Sequence, residues 1–483
     1  MHDVLIIGAG CVGSCVAYEL SKYNLNVLLL DKENDVALGA SRANTAIVHG
    51  GYDPDPNTLM GKYNVRGAKK CMELVETLDI EFRKTGSLVV AFNDKEMETV
   101  KQTYERGLAN GCPNMEIWDA EQVHAHEPNI SKDIIGALWV PESGVMNPWE
   151  FTISHVEVAV REGVDLELNQ KVVDLIDQGD SWLVKTETDE FETKYVVNAA
   201  GVHSDEIHNL VAEPAYAIHP TRGQYYLLDR SQGEIVNSVI FPTPNEQTKG
   251  ILVSPTIHFH TLVGPDAERI PDKEDTSTTR DGLDYIAGEA TRCVPGLNFR
   301  TNIRNYAGVR ANSDLNDFFV DFIARDILEL GAIKSPGLTC SPVLAEEGVK
   351  MLKEKGLKLE EKSNWDGTRK VTRFKTLSPE DKQKALERNP KYGRVICRCE
   401  HITEGEIIDA LERGMPVTSL DAVKRRCGTG MGRCQGGFCG PRIVEILARE
   451  TGIDVEDVLQ DKLGSYIITG RTKTNEKPEV TKS

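Results

Sequence analysis

No stretch of this chain approaches the roughly 20 consecutive apolar residues that cross a bilayer, so no transmembrane segment is expected. The opening residues, MHDVLIIGAG, lack a basic leader, and their apolar run breaks at a glycine turn. They read as a first strand rather than an export signal, and the cytoplasm is the expected compartment. Basic charge is also short: 56 Lys and Arg stand against 75 Asp and Glu, a net charge of −19. Such a surface argues against nucleic acid or an anionic membrane as a general partner, but it leaves room for an anionic ligand in a locally basic pocket. A disulfide framework is absent too. Cys11, Cys15, Cys71, Cys112, Cys293 and Cys340 are scattered and read as small buried hydrophobes in a reducing compartment. No internal repeat is visible.

What remains is specific. A length of 483 residues and 40% apolar content suit two or three globular domains. The run DVLIIGAG, the helical spacing of CVGSCVAYELSKYN and the apolar NVLLLD form a β-α-β unit. Gly8, Gly10 and Gly13 fall at the strand-to-helix turn, and Asp31 ends the next strand. This is a dinucleotide fingerprint: one glycine for the tight turn, one for approach of backbone to the pyrophosphate, one for close helix–strand packing. The helix N-terminus offers N–H groups and partial positive charge to phosphates. Asp31 suits a ribose and repels a 2′-phosphate. Further along, GSLVVAF and YVVNAAG read as buried strands, and GQYYLLD, SVIFPT, GILVSPT and HTLVGP as an antiparallel sheet.

The segments GAGCVGS, Ser41-Arg-Ala-Asn44-Thr-Ala-Ile-Val-His49-Gly-Gly, YVVNAAG, PTRGQYY, NYAGVRA and SPGLTCSP resemble the D-amino-acid-oxidase-like superfamily of FAD oxidoreductases over about residues 3–350. Within it the chain is most similar to the soluble glycerol-3-phosphate dehydrogenase branch, which in turn resembles L-2-hydroxyglutarate dehydrogenases. The resemblance implies an α/β, Rossmann-like FAD-binding domain with an α+β antiparallel-sheet substrate domain across residues 1–355. FAD-binding parts fall at about 1–85, 145–215 and 305–355, and substrate parts at about 86–144 and 216–304. It also implies site roles. Gly8, Gly10 and Gly13 would hold the pyrophosphate, with Asp31, where the family usually has Glu, and Lys32 at the ribose side. Ser41, Asn44 and Thr45 would contact the pyrophosphate and flavin; Val172 would meet the adenine; Ala200 and Gly201 would line the dinucleotide; Gly308 would lie by the flavin. Gly337, Leu338 and Thr339 would present N–H groups to the ring's N1–C2=O edge.

A small hydroxy anion oxidised at a flavin needs a clamp for its charge and an acceptor for its hydroxyl proton. Arginine suits the first and histidine the second. His49, in HGG, is the first candidate base. Arg310 is the first clamp and Arg222 the second. His258 lies near the expected pocket and, with His260 two residues on, would share one strand face; His260 reads as a plain sheet residue. Lys249 is a weaker assistant. Membrane-bound relatives carry an Arg soon after the HGG tripeptide, where this chain has Tyr52-Asp53, so their phosphate clamp does not transfer.

Five of the eleven cysteines fall within 43 residues near the C-terminus. CRC followed by KRRCGTGMGRCQGGFC resembles the bacterioferritin-associated-ferredoxin-like module, a small helical domain that binds a 2Fe-2S cluster. The expected ligands are Cys397, Cys399, Cys434 and Cys439, with Cys427 a bystander where the family more often has Thr. Four thiolates also suit zinc. This domain is expected at 393–455, after a Lys- and Glu-rich linker at 356–392 and before a tail at 456–483 whose last dozen residues read as disordered. The whole then reads as a cytoplasmic FAD-dependent dehydrogenase. Its expected substrate is a small anion, glycerol 3-phosphate first, with electrons leaving through a 2Fe-2S cluster to a second electron-transfer subunit or a quinone, and an oligomer is compatible with this reading. A 2-hydroxy acid such as L-2-hydroxyglutarate, an amine substrate, and a non-catalytic electron-relay or sensor subunit are the alternatives.

Overall fold

A computed structural model describes residues 1–243, 250–470 and 472. Two compact units divide the chain: Met1–Lys32 with Val36–Lys370, and Glu33–Asp35 with the residues from Val371 onward.

The first unit is built on two large sheets. In the first sheet, β1 (His2–Ile7) lies between β2 (Val27–Leu30) and the strand Glu190–Asn198, parallel to both. Val4 to Ile7 and Val27 to Leu30 are all buried, as expected of parallel strands covered on both faces. Each fully buried Leu or Ile contributes about 1.5–3 kcal/mol. The helix α1 (Cys11–Leu20) leaves β1 at the glycine turn and packs against the helices Pro148–Arg161 and Gly337–Lys355.

The second sheet carries the substrate-side segments. The strand Thr221–Leu228 pairs antiparallel with Asn302–Arg310 on one edge and with Thr261–Gly264 on the other. Pairing is antiparallel as the sequence suggested, except that Val239–Pro242 runs parallel to Ser87–Ala91. A small three-stranded sheet joins Ile47–Val48, Gly144–Met146 and Phe82–Arg83.

The stretch expected to be a linker divides between the units. Arg369 is 5% exposed in the first unit and pairs with Glu150 and Glu157. In the second unit the helix Pro379–Arg388 leads to Tyr392, which is fully buried, stacks on Phe374 and lies over Gly405, where a Cβ would sit 2.7 Å from the ring. Few large apolar residues mark this stretch in sequence, but a buried ion pair and one aromatic plug suffice to order it. Thr403 and Glu406 form the expected capping box ahead of the helix Glu404–Leu411. The helices Leu420–Cys427 and Gly440–Thr451 both end at left-handed glycines, Gly428 and Gly452. The residues expected to be disordered at the C-terminus lie, apart from Thr472, outside the described residues.

Candidate functional site

At the glycine turn, Gly8 has φ +102, and a Cβ there would lie 2.6 Å from the Ala199 carbonyl oxygen and 3.2 Å from Ala200 Cα. A Cβ on Gly13 would sit 1.9 Å from the Gly8 oxygen. These two positions therefore exclude any side chain, and α1 starts directly against the turn. Gly10 has no such constraint: its Cβ would meet only Ser41 Oγ, at 3.3 Å. The Ala9 N–H donates to Asp31 Oδ2 at 2.7 Å, which brings that carboxylate beside the turn. Gln170 N–H donates to the Asp31 carbonyl at 2.8 Å, so Val172, buried at the start of its strand, lies close to the end of β2. Gly201, with φ +61, starts a short turn after Ala200. Together these residues form a cradle shaped by missing side chains, with an acid at its edge, which fits a dinucleotide.

Three residues expected at the cofactor also have partners within the protein. Ser41 Oγ accepts the Cys11 N–H at 2.8 Å. Asn44 spends its amide within its own loop, donating to the carbonyls of Ala40 and Ser41 and accepting the Ala46 N–H at 2.7 Å, so it braces the loop. Lys32 forms an ion pair with Glu274, which also meets His203 Nε2 at 2.7 Å. Burial would raise the Glu274 carboxyl, but the hydrogen bonds from Lys32 and His203 outweigh it and hold it at about 2.

The second sheet presents one face to this loop. Tyr225 and Tyr306 are direct cross-strand partners and stack with centroids 4.7 Å apart. Thr45 Oγ1 is 3.4 Å from the Tyr225 hydroxyl, and the Tyr306 hydroxyl donates to the Asn44 carbonyl at 3.3 Å. On the same face Gly308 admits Ala43: a Cβ there would be 2.2 Å from the Ala43 oxygen. Alternation puts Thr221, Gly223 and Arg310 on this face as well. The Arg310 guanidinium lies across Gly223 and donates to the Asp266 carbonyl at 2.8 Å. That bond is to a neutral backbone acceptor, so the charge itself is not cancelled by it.

Arg222, one residue out of phase, points to the opposite face. It is 3% exposed, and its guanidinium donates to Asp275, Ser277 and Glu268, each at 2.7 Å. Its two carboxylate partners make it a structural ion pair, which corrects its expected role as a second clamp. His258 is also corrected. It sits in the turn between Leu252–Pro255 and Thr261–Gly264, where Phe259 has φ +62, so it does not share a strand face with His260. His258 Nε2 is 3.9 Å from Glu81 Oε2, beside the small sheet that precedes His49. His260, just ahead of the strand Thr261–Gly264, is buried, and burial holds its imidazole down at about 4. Lys249 lies outside the described residues.

His49 is held by two residues that the sequence did not single out in these roles. Its N–H donates to Thr339 Oγ1 at 3.0 Å, and its carbonyl accepts from Asn64 Nδ2 at 2.8 Å. The imidazole Nε2 is 3.5 Å from Ser335 Oγ, just ahead of the helix that begins at Gly337. The Gly337 N–H donates back to the Lys334 carbonyl at 2.7 Å, which leaves the N–H groups of Leu338 and Thr339 as those without an acceptor within the helix. Thus His49, Gly337, Leu338 and Thr339 come together, and the rest of the loop 41–49 joins them to the Tyr225–Tyr306 face. Asn64 gave no signal, because a lone Asn in a helix is unremarkable; Tyr225 and Tyr306 read only as strand residues.

In the second unit all four expected ligands and Cys427 are free thiols. Cys399 Sγ and Cys434 Sγ are 3.7 Å apart, and the Cys397 and Cys439 thiols hydrogen-bond each other. That bond outweighs burial and, with N–H donors at Gly430 and Glu400, draws Cys397 below the usual thiol range while it pushes Cys439 up. Thiols arranged as two pairs suit two bridged irons carrying two thiolates each. Cys427 is different: its Sγ donates to the Val423 carbonyl at 3.2 Å, and burial pushes it up to about 12.

Comparison with known proteins follows this geometry. Residues 3–351 match the family model "FAD dependent oxidoreductase", and residues 395–449 match "BFD-like [2Fe-2S] binding domain". A glycerol 3-phosphate dehydrogenase of Caloramator mitchellensis is 45% identical over 98% of this chain and 99% of its own length. A glycerol 3-phosphate oxidase of Mycoplasma genitalium is 34% identical over 75% of this chain and 97% of its own. Among solved structures, the FAD-bound L-alpha-glycerophosphate oxidase of Mycoplasma pneumoniae aligns with a TM-score of 0.73 and 32% identity, covering 77% of this chain and 99% of that one. No helix among the described residues is long and apolar enough to cross a membrane.

Proposed function

Because the chain belongs to the FAD dependent oxidoreductase family and carries a BFD-like [2Fe-2S] binding domain, we propose that it is a glycerol 3-phosphate dehydrogenase. The product would be dihydroxyacetone phosphate. FAD, when bound, supplies a hydride acceptor, and a 2Fe-2S cluster supplies a one-electron outlet. The observation that carries the reading is the end-to-end match to a dehydrogenase of that substrate. The oxidase relatives, by contrast, are almost wholly matched by three quarters of this chain. An added one-electron module suits delivery of electrons to a partner rather than to oxygen.

In this reading His49 accepts the hydroxyl proton of the substrate, positioned by Thr339 and Asn64 on its backbone. Arg310 binds the phosphate, since its one assigned acceptor is a carbonyl. The first turn of the helix at Gly337 places N–H groups where negative charge develops. Gly8, Gly10, Gly13, Asp31, Ala200 and Gly201 hold the dinucleotide. Cys397, Cys399, Cys434 and Cys439 hold the cluster. Eleven cysteines with no disulfide among the described residues suit a reducing, cytoplasmic setting.

The test is anaerobic titration of the yellow holoenzyme with glycerol 3-phosphate. Bleaching of the flavin by this compound and not by L-2-hydroxyglutarate, proline or sarcosine supports the assignment. Bleaching by one of the others reassigns the substrate, and bleaching by none favours a relay subunit.

A further inference from the structure

The cysteine loops of the second unit carry three exposed arginines in a protein that is acidic as a whole. Arg398 lies between two ligands, Arg433 precedes Cys434, and Arg442 stands in the first turn of the helix that follows Cys439. All three are exposed, and none has an ion-pair partner among the described residues. The loops touch: a Cβ on Gly432 would sit 2.3 Å from Cys399 Cβ, and the sulfurs of Cys399 and Cys434 are 3.7 Å apart. Residues 393–452 hold nine Lys and Arg against eight Asp and Glu, while the whole chain is at −19. In the same cysteine loop lies Phe438, 83% exposed between Gly437 and Cys439, the most exposed of the large apolar side chains described. Cys397 and Cys439 are buried, whereas Cys399 and Cys434 are partly exposed, so this side is where the thiolate site meets solvent.

We propose that this patch is the docking surface for an acidic one-electron carrier protein, with Phe438 as its apolar anchor and Arg398, Arg433 and Arg442 as its charged rim. The inference rests on the dehydrogenase reading. An aromatic accompanied by arginines has the composition of a protein–protein hot spot. Opposite charge on the carrier speeds encounter and orients it. A membrane would need a broad apolar face, and Phe438 stands alone among Gly, Gln and Arg. Electrons balance if two carriers each take one electron per substrate oxidised, with two protons released to solvent.

The experiment uses flavodoxin, a small acidic carrier, as probe and dithionite as reductant, so it does not depend on the substrate being right. Binding of oxidised holoenzyme to flavodoxin is measured against ionic strength, then electron transfer from reduced holoenzyme. We expect binding that weakens steeply with salt, and about a tenfold loss of affinity and transfer rate in Arg433→Glu/Arg442→Glu. Phe438→Ala should mainly speed dissociation. Iron content and reduction of free menadione should stay at wild-type levels in these variants. The proposal is overturned if wild-type enzyme does not bind flavodoxin, or if charge reversal leaves binding unchanged. It is also overturned if the variants lose iron while their remaining clusters bind flavodoxin normally, because the arginines then serve the cluster. Binding to vesicles of phosphatidylcholine and phosphatidylglycerol that charge reversal abolishes would assign the patch to a membrane surface instead.

Discussion

The Thr339 hydroxyl accepts the backbone N–H of His49 at 3.0 Å and donates to the Ile47 carbonyl at 3.3 Å. One side chain thereby ties the loop that carries His49 to the helix whose first turn faces the same place. A Cβ on Gly67 would sit 2.3 Å from the Thr339 backbone carbonyl oxygen, so the helix Leu59–Thr77, which supplies Asn64, packs against the same residue. His49→Ala should lower the rate of flavin reduction by about 10²–10⁴, the usual contribution of a positioned general base. Thr339→Val removes the acceptor and leaves a backbone N–H unpaired, at about 1–3 kcal/mol. Its flavin reduction should slow about tenfold or more, with Thr339→Ser restoring it, as read by anaerobic stopped-flow absorbance.

The glycine cradle makes unequal demands on its three glycines. Gly13→Ala drives a methyl into the Gly8 oxygen and should yield protein without yellow colour. Gly10→Ala meets only a hydroxyl at 3.3 Å, which a small rotation relieves, and should retain most of its flavin. The ratio of flavin to protein absorbance after gel filtration distinguishes the two.

Arg310 and Arg222 should separate cleanly. Arg310→Ala should raise KM for glycerol 3-phosphate about tenfold or more, with little change in melting temperature, because a charge-assisted contact to the substrate is lost. Arg222→Ala removes a buried guanidinium and its bonds to Glu268, Asp275 and Ser277, so stability should fall while KM changes little in the folded fraction. A KM effect confined to Arg222→Ala would reverse the assignment.

This contrast also shows what the sequence revealed. Local signals were legible: the turn at Gly8, the buried parallel strands and the capping box at Thr403 each follow from residues a few positions apart. Which face an arginine takes was not. Arg222 and Arg310 both lie near strand ends with a glycine within two positions, and only the Arg222–Val309 and Thr221–Arg310 pairing puts them on opposite faces. His258 was misread because nothing marks SPTIHFH as a turn; the left-handed backbone falls on Phe259, an unusual residue for it. Likewise Tyr392 and Arg369 order a stretch whose composition looked solvated, Arg369 through carboxylates far away in the chain and Tyr392 through Phe374 and Gly405.

The five C-terminal cysteines should divide four to one. Cys427→Ala keeps both thiol pairs and should bind iron and sulfide as wild type does. Cys434→Ser breaks the pair with Cys399 and should lose most of both, without loss of flavin. Iron and acid-labile sulfide are measured per chain after anaerobic purification.

Two buried histidines set an acid limit on stability. His155 and His260 are 1% exposed, and burial holds each imidazole near 4 against about 6.5 in an unfolded chain. His155 Nδ1 donates to the Phe151 carbonyl at 2.6 Å, while its Nε2 has no hydrogen-bond partner among the described residues, so a proton there would gain none. Because the folded values lie below the unfolded one, the unfolded chain binds more protons between them. Stability therefore falls as pH drops from about 6.5 towards 4 and takes no further loss from these groups below that. A shift of this size corresponds to at most roughly 3 kcal/mol for each residue. Melting temperature should thus drop on acidification from pH 7 to 5, and His155→Asn/His260→Asn should flatten that slope. An unchanged slope in the double variant would show that other groups govern the acid transition.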